Sequence, residues 1–416
     1  MTDATTQEAI EAVWRLESTR LIAGLVRMVR DVGLAEDLAQ DALVAALQQW
    51  PTSGVPDNPG AWLMTIAKRR GVDQFRRSDR LHQIYAGMAR GQGSEMSEED
   101  FLAAVDHVED DVLRLMFICC HPALTSEAQC TLTLKLVGGL TTREIARAYL
   151  TTEATVAQRV VRAKRTLAEA AAALEEPSEA ERAERLTAVL GVIYLLYNEG
   201  YSATAGNEWL RPTLCDEALR LGRILTALAP RESEVHGLCA LMELQSSRLA
   251  ARTAADGSPI LLLDQDRSRW DPVHIVRGLS ALDRATMSST DLGPYALQAA
   301  IAACHARAET AQATDWVHIA ELYEQLARLT GSPVVEVNRA VALGMAYGPE
   351  AGLDLLDQLA GLPALQGYHL LPSVRGDLLA KLGRHDEARA EFARAANMTQ
   401  NERERSLLLD RASGIS

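Results

Sequence analysis

The chain has 416 residues and a formal net charge of −14; 48% of its residues are hydrophobic, but only 5% are aromatic. This length allows two or three domains with substantial cores, and the negative charge argues against a general affinity for nucleic acid. Runs of the residues that favour strands are nearly absent, so we predict an almost entirely α-helical protein.

The same composition bears on compartment and cofactors. No apolar run approaches the length of a membrane span, and the N-terminus lacks a basic stretch followed by an apolar core. The six cysteines are scattered without a paired framework, which suits a reducing compartment. We therefore expect a cytoplasmic protein without membrane contact, and we predict no cofactor and no catalytic residues.

The charge is unevenly distributed along the chain. Residues 61–80 contain six basic and two acidic residues, and so do residues 139–166. Between them, residues 95–111 contain eight acidic residues and no Lys or Arg. Two basic islands in an acidic protein indicate local contacts to DNA that stay weak unless a partner adds to them. The acidic segment is either a soluble linker or a substitute for nucleic acid in a partner's basic channel.

The first fifty residues predict two amphipathic helices, residues 7–29 and 34–50. On the second helix Leu38 can face inward, together with several alanines. A polar row on a helix is either a solvated surface or a binding surface, and both interpretations stay open. The residues of this row are Asp37, Gln40 and Asp41.

A turn-rich loop, residues 51–60, leads into a basic helix, residues 61–77. Trp62 lies near its start, where a ring can stack on an unpaired base while neighbouring cations neutralise phosphates. Alternatively, Trp62 belongs to the core. The charged residues of this helix are Lys68, Arg69, Arg70, Asp73, Arg76 and Arg77.

Cys119, Cys120 and His121 form a group that suggests a metal site or a thiol switch. Adjacent cysteines do not easily point at one ion, and no second pair lies at zinc spacing. We therefore predict no metal site, and we interpret the cysteines as small buried residues.

Residues 140–167 predict two helices separated by a turn. Thr141 and Glu144 form a capping box for the first helix, and Thr151 and Thr152 offer an N-cap for the second. The second helix is either a recognition helix that enters a major groove or an ordinary amphipathic helix with a solvated basic face. Its apolar face carries Val156, Val160, Ala163 and Leu167, and its polar side carries Thr155, Gln158, Arg159, Arg162, Lys164 and Arg165.

Helices continue through the remaining chain. Residues 375–395 resemble a tetratricopeptide unit, and earlier helices read as degenerate units. The loop at residues 261–275 is a docking or regulatory surface, a structural salt-bridge network, or a pocket with catalytic carboxylates. In the repeat-like unit, the small and aromatic packing positions are occupied by Gly376, Gly383, Ala388, Phe392 and Ala395. In the loop, the charged and aromatic residues are Asp264, Asp266, Arg267, Arg269, Trp270 and Asp271.

Three features follow one another along the chain: the helix with Asp37, Gln40 and Asp41, the basic helix with Trp62, and the helix-turn-helix at residues 140–167. This order resembles that of RNA polymerase sigma factors of the extracytoplasmic-function (group IV) class. The resemblance covers residues 8–174, and the later helices resemble a subgroup with a C-terminal tetratricopeptide-like extension. It implies an all-α fold with sigma domain two at residues 8–80 and an acidic linker at 81–107. Sigma domain four then occupies residues 108–174, and a helical solenoid occupies 183–410.

The resemblance also implies partners and roles for the residues. The partners are core RNA polymerase, through its beta and beta-prime subunits, and promoter DNA; an intramolecular contact between the extension and the sigma domains is a further expectation. Core polymerase is expected to bind Asp37, Leu38, Gln40 and Asp41. The minus-ten element is expected to bind Trp62, Lys68, Arg69, Arg70, Asp73, Arg76 and Arg77. The minus-thirty-five element is expected to bind Thr142, Arg143, Thr152, Thr155, Gln158, Arg159, Arg162, Lys164 and Arg165.

Two other functions compete with a promoter-specificity subunit. A DNA-binding activator with a helical sensor domain needs only residues 140–167, and it has no use for a helix that melts DNA. An enzyme fused to a DNA-binding module would use residues 264–271 as its site, but no nucleophile or phosphate loop accompanies these carboxylates. The sequence favours the sigma factor.

Overall fold

The computed structural model of the chain describes residues 3–86, 108–149, 151–170, 179–202, 210–254, 257–288 and 291–414. Within these ranges α-helices are joined by loops and short 3₁₀ turns, and the only strand-like feature is an isolated bridge between Thr253 and Pro259. The prediction of an all-α protein is confirmed. The chain divides into two compact units, residues 1–192 and 193–416. No helix in the described part has both the length and the apolar character needed to cross a membrane.

The first three helices pack against one another: α1 (Asp3–Val29), α2 (Val32–Ser53) and α3 (Pro59–Ala86). Asp31 caps α2, because its carboxylate accepts a hydrogen bond from the backbone amide of Leu34 at 2.8 Å. Large apolar side chains fill the space between the helices, and their burial stabilises the group. The most deeply buried are Leu25, Leu38, Trp50 and Leu63.

Four helices follow in the same unit: α4 (Val108–Cys119), α5 (Ser126–Leu136), α6 (Thr142–Ala148) and α7 (Glu153–Glu169). The predicted capping box is confirmed, since the Thr141 amide donates to the Glu144 carboxylate at 2.8 Å and the Glu144 amide donates to the Thr141 hydroxyl at 3.2 Å. Thr152 caps α7 through the amide of Thr155 at 3.1 Å. The sequence therefore places both helix starts correctly.

The segment between α3 and α4 differs from the expected linker at both ends. Helix α3 continues to Ala86, so its last turns occupy the start of the segment that we expected to be linker. At the other end Asp111, the last carboxylate of the acidic run, is buried in α4 and forms an ion pair with Arg27 at 3.3 Å. The remainder of the acidic run, within residues 87–107, lies outside the described residues.

Consecutive helices pack in pairs through the rest of the chain. After α8 comes a series of shorter helices, with three 3₁₀ turns between α10 and α11. The helices are α8 (Glu179–Tyr201), α9 (Pro212–Leu228), α10 (Ser233–Ser246), α11 (Pro272–Ser288), α12 (Pro294–Arg307), α13 (Trp316–Thr330), α14 (Pro333–Tyr347), α15 (Pro349–Leu359), α16 (Leu370–Lys381), α17 (His385–Met398) and α18 (Glu402–Ser413).

The pair α16 and α17 shows why small residues matter in this stack. Gly376 lies against the ring of Phe392, where an added Cβ would come within 3.0 Å of the ring. Gly383 forms the turn with a φ of +72°, a conformation that favours glycine. Ala388 and Ala395 are fully buried beside the same ring. The pair therefore packs at the predicted positions, whereas its assignment to the tetratricopeptide family stays a prediction.

Helices α8 and α9 approach each other closely at Gly200. An added Cβ at Gly200 would lie 2.7 Å from the backbone nitrogen of Cys215 and 2.9 Å from the Cβ of Leu214. Backbone atoms cannot move aside as a flexible side chain can, so the contact requires glycine. Gly191, on the same helix, has no atom within 4 Å of the corresponding position.

We predict opposite effects for alanine at these two glycines. Gly200→Ala should destabilise the protein by about 1–3 kcal/mol, because the new methyl group overpacks the α8–α9 contact. Gly191→Ala should be neutral or stabilising by up to about 1 kcal/mol, because alanine favours the helix. Calorimetric melting of the full chain measures both, and equal melting temperatures for the two variants would contradict the close approach.

Candidate nucleic-acid interface

Helix α7 presents a polar row to solvent above a buried apolar row. Arg162 and Arg165 are exposed, and the Arg165 side chain retains 74% of its accessible surface. Its ion pair with Glu169, at 3.7 Å along the helix, is exposed and therefore weak. Thr155 and Gln158 complete this row, while Val156, Val160, Ala163 and Leu167 are buried on the opposite face. The geometry leaves the guanidinium of Arg162 and the amide of Gln158 exposed to solvent, and it ties Arg165 only through the weak pair with Glu169, so all three can meet base edges in a groove.

The flanking cations of α7 are held more firmly. Arg159 is half-buried, forms an ion pair with Glu127 at 2.8 Å, and donates to the hydroxyl of Thr131 at 3.4 Å. The hydroxyl of Thr152 lies 2.8 Å from that of Thr155 and also caps the helix. At the start of α6, Arg143 is exposed and Thr142 is half-buried. These residues surround the exposed row, but Arg159 and Thr152 already have partners.

A buried carboxylate connects α2 to α5 and α7. Glu36 is only 5% exposed and forms ion pairs with Lys164 and, at 3.8 Å, with Lys135. Gln40 donates from its amide nitrogen to the Glu36 carboxylate at 3.0 Å. A buried carboxylate without cations would be strongly disfavoured, so the lysines and Glu36 hold one another in place. In this arrangement Lys164 is engaged by protein and does not face solvent alone.

Helix α1 makes two more polar contacts with the α4–α7 half of the unit. The hydroxyl of Thr19 donates to the backbone carbonyl of Val137 at 2.8 Å. Arg27 forms its ion pair with Asp111 of α4. Together with Glu36, these contacts join the first three helices to the next four at separate points. The two predicted binding regions of residues 3–170 are therefore packed against each other.

The row on α2 faces solvent in part. Asp37, Gln40 and Asp41 are exposed, and Asp41 forms an ion pair with Arg70 of α3 at 3.0 Å. Leu38 faces inward, as its helical spacing predicts: it is 2% exposed and packs in the core of the three helices, although the resemblance implies that it contacts core polymerase. Its side chain therefore cannot contact a partner here, and its part in the row is to anchor α2.

On α3 the structure separates the basic residues by environment. Trp62 is half-buried and packs its ring at 61° against the buried Trp50, with centroids 5.3 Å apart. One side of the ring therefore packs in the core and another is accessible, and the stacking role of Trp62 stays a prediction. Burial, together with the nearby Arg27, lowers the pKa of Lys68. Arg69 and Asp73 are exposed, whereas the side chains of Arg76 and Arg77 lie outside the described residues.

The loop between α10 and α11 uses its carboxylates for structure. Asp266 accepts a hydrogen bond from the amide of Ser268 at 3.0 Å, and Asp271 caps α11 through the amide of Val273 at 2.8 Å. Arg269 donates to the carbonyl of Ala250. Asp264, Asp266 and Asp271 are exposed, while Trp270 is buried and Arg267 half-buried. This arrangement fits a structured loop better than a cluster of catalytic carboxylates.

The two adjacent cysteines, Cys119 and Cys120, are buried. Burial is the main reason that the pKa of the Cys119 thiol is raised well above its usual value and that of Cys120 is raised to about 12. Both thiols therefore stay protonated, and protonated thiols are poor nucleophiles and metal ligands. In the described ranges no group of three or more His, Cys, Asp or Glu is placed to hold a metal ion.

Sequence reasoning missed Glu36 and Lys135. Glu36 stands beside the exposed row of α2, where it reads as one more solvated carboxylate. The one available signal was the four-residue spacing between Glu36 and Gln40, which brings the two side chains together on a helix. The lysines that neutralise Glu36 lie about a hundred residues further along the chain, a relation that periodicity does not reveal.

Comparison with known protein families divides the chain in the same order. A model of Sigma-70 region 2 matches residues 6–81, and a model of Sigma-70 region 4 matches residues 114–167. A family of unknown function (DUF6596) matches residues 185–286.

Individual relatives fall into two groups. An uncharacterised protein of Rhizobium meliloti is 44% identical over 382 residues, which cover 91% of this chain and 89% of that protein. The ECF RNA polymerase sigma factor SigK of a Mycobacterium species is 27% identical over 161 residues, 37% of this chain and 78% of that protein. The probable ECF RNA polymerase sigma factor SigI of Mycobacterium tuberculosis is 26% identical over 173 residues, 41% of this chain and 59% of that protein.

We predict that Glu36→Gln loosens the contact between α2 and α7. The neutral amide cannot balance Lys135 and Lys164, and the loss should amount to about 1–3 kcal/mol because both lysines are partly solvated. Hydrogen exchange of peptides from α2 and α7 should then be about five- to 150-fold faster, by the usual conversion of free energy to rate. Asp57→Asn, which removes an exposed carboxylate from the α2–α3 loop, is the control. Unchanged exchange in Glu36→Gln would show that the ion pairs contribute nothing.

Proposed function

Because the chain belongs to the extracytoplasmic-function RNA polymerase sigma factors, as a member with a long C-terminal extension, we propose specific roles for its surfaces in transcription initiation. Its partners are core RNA polymerase and promoter DNA. Such a subunit directs the polymerase to a promoter and has no catalytic centre of its own, and we propose that it acts in the cytoplasm, where its template lies. The residue roles below belong to this proposal.

Helix α7 is the proposed reader of the minus-thirty-five element, and the observation that carries this role is its exposed polar row above a buried apolar row. Gln158, Arg162 and Arg165 have exposed polar groups that can pair with base edges, Arg165 in exchange for its weak ion pair with Glu169. Arg143 and Thr155 lie nearer the start of the motif and suit phosphate contacts. Thr142, Thr152, Arg159 and Lys164 flank the row, with Lys164 able to join only after it leaves Glu36.

Helices α2 and α3 are the proposed surfaces for core polymerase and for the minus-ten element. The exposed Asp37, Gln40 and Asp41 provide acceptors and an amide for a basic surface of the polymerase. The accessible side of Trp62 provides a platform for an unpaired base, and Arg69 provides a cation for the adjacent phosphate. We also propose that other residues of the same helix bind the minus-ten element, namely Lys68, Arg70, Asp73, Arg76 and Arg77.

The ion pairs of Glu36 imply a change of arrangement before productive DNA binding. While Lys164 neutralises Glu36, it cannot also neutralise a phosphate. DNA and Glu36 therefore compete for one cation, and the packed arrangement of the two sigma regions is a resting form. In a second, active form the two sigma regions are separated and Lys164 is free of Glu36. Core polymerase, which engages both regions of a sigma factor, would supply the interactions that favour this separated form.

The alternative of a conventional DNA-binding activator is not favoured. An activator would require only the helix-turn-helix, whereas the match to Sigma-70 region 2 extends over residues 6–81. This region contains both the exposed row of α2 and the basic helix α3. The similarity to two mycobacterial ECF sigma factors over 161 and 173 residues supports the sigma role.

We predict that Arg162→Ala weakens promoter recognition without affecting polymerase binding. A base-contacting arginine contributes about 1–3 kcal/mol, so occupancy of a selected promoter should need about five- to 150-fold more holoenzyme. Promoters selected by wild-type holoenzyme from a randomised library provide the template, and footprinting measures the loss at the minus-thirty-five element.

Arg277→Ala is the charge-matched control for this variant, since Arg277 is exposed on α11 in the extension. It should footprint like the wild-type protein. A normal footprint for Arg162→Ala would remove Arg162 from the DNA-reading face.

We predict that the extension controls the activity of the sigma regions. A chain that ends at residue 177 retains both Sigma-70 matches and loses α8 to α18. Its run-off transcription with purified core polymerase should differ from that of the full chain by about fivefold or more, the lower end of usual coupling free energies. Circular dichroism and binding to core polymerase check that the shortened chain folds. Equal transcription by the full chain and by a folded short chain would show that the extension does not control the sigma regions.

A further inference from the structure

The extension contains a cavity of about 460 Å³ between α10, α12, α13 and α14, closed on one side by the α10–α11 loop. This volume lies in the range of small-molecule sites, about 300–1,000 Å³. One part of its wall is apolar, with Leu244, Ile301, Leu326 and Val335. The other part is polar and carries a positive charge.

Arg248 provides that charge. Among the described residues that line the cavity it is the one charged side chain, and no carboxylate lines the wall. Its guanidinium carbon lies 5.7 Å from the ring centroid of Tyr201 and 6.0 Å from that of Trp270, so aromatic rings hold it without neutralising it. A single cation facing a partly open cavity, with no carboxylate in the wall beside it, favours an anionic occupant.

Buried polar atoms in the wall also lack partners within the described structure. Trp270 is 6% exposed and its indole Nε1–H makes no hydrogen bond; His305 is 8% exposed and its Nδ1 makes none. The side-chain oxygen of Gln245 is also buried and also makes no hydrogen bond in the described structure. Buried donors and acceptors without partners cost free energy, and their concentration in one wall points to a ligand that satisfies them.

Arg267 is not available to a ligand, which makes Arg248 the binding cation. Arg267 donates to the backbone carbonyls of His305 and of Ala308, the latter at 2.6 Å, and to the hydroxyl of Thr314 at 3.1 Å. Burial, and then the charges of Arg248 and Arg267, lower the pKa of His305 to about 3. His305 is therefore neutral at physiological pH, and its ring adds hydrogen-bonding capacity but no charge.

We propose that this cavity binds a small organic monoanion with an apolar or aromatic body. Its oxyanion group is received by Arg248 and the indole N–H of Trp270, and its body packs against the apolar wall formed by α12, α13 and α14. A polyphosphate does not fit the chemistry, because one guanidinium would leave most of its charge uncompensated in a partly buried site with no second cation in its wall. This ligand site lies beyond the sigma function and does not depend on it, since binding is measured without polymerase or DNA.

Two fluorescent probes test the proposal: anilinonaphthalene sulfonate, a monoanion, and N-phenylnaphthylamine, its uncharged parent. The full-length wild-type chain should bind the sulfonate at least about tenfold more tightly than the parent, as expected for a charge-assisted hydrogen bond. Arg248→Gln should abolish this preference while still binding the parent. Arg328→Gln, an exposed position of α13 that does not line the cavity, should retain it.

A second variant covers the case in which Arg248→Gln fails to fold. Trp270→Phe keeps an aromatic ring beside Arg248 but removes the N–H donor, so it should weaken the sulfonate about tenfold and leave the parent unchanged. Melting curves verify that each variant is folded. Equal affinity of the wild-type chain for the two probes, or an undiminished preference in a folded variant of Arg248 or Trp270, would overturn the assignment.

Discussion

The ion pairs of Glu36 are the constraint on which residues 3–170 depend. A carboxylate at 5% exposure is tolerated because Lys164 and Lys135 stand beside it, and these lysines come from the second of the two sigma regions. The contact therefore ties the helix that carries the proposed polymerase-binding row to the helix that carries the proposed DNA-reading row. One buried charge connects the two proposed surfaces, because separating the helices would leave the Glu36 carboxylate without its lysines.

Much of the proposed DNA-reading site could be predicted from the sequence because it is local. The apolar and polar faces of α7 repeat at helical spacing, and the caps at Thr141 and Thr152 are formed with residues three positions away. The inward direction of Leu38 also follows from helical spacing, whereas Trp62 was harder to predict because it packs against Trp50 of another helix and is only half-buried. Glu36 could not be predicted, since its meaning depends on lysines that only the tertiary fold brings close.

The extension shows the same division between local and distant information. The loop around Trp270 stood out by its alternation of Asp and Arg, and the structure assigns its carboxylates to short-range capping. The cavity beside the loop was invisible, because Arg248, Trp270 and His305 are separated along the chain and lie on different elements. His305 illustrates the effect of burial on a residue type that usually titrates near neutral pH. Desolvation and two guanidinium groups lower the pKa of its ring and keep it neutral.

The exposed pair of Asp41 and Arg70 has a consequence for the order of assembly. At 3.0 Å, in solvent, the pair is weak enough to be exchanged for better partners. If core polymerase claims Asp41, as proposed, the guanidinium of Arg70 is released toward the strand that α3 is meant to hold. Binding to core polymerase would then make Arg70 of α3 available to DNA. Before that step, the free subunit would bind non-specific chromosomal DNA less tightly, because Arg70 is still paired with Asp41.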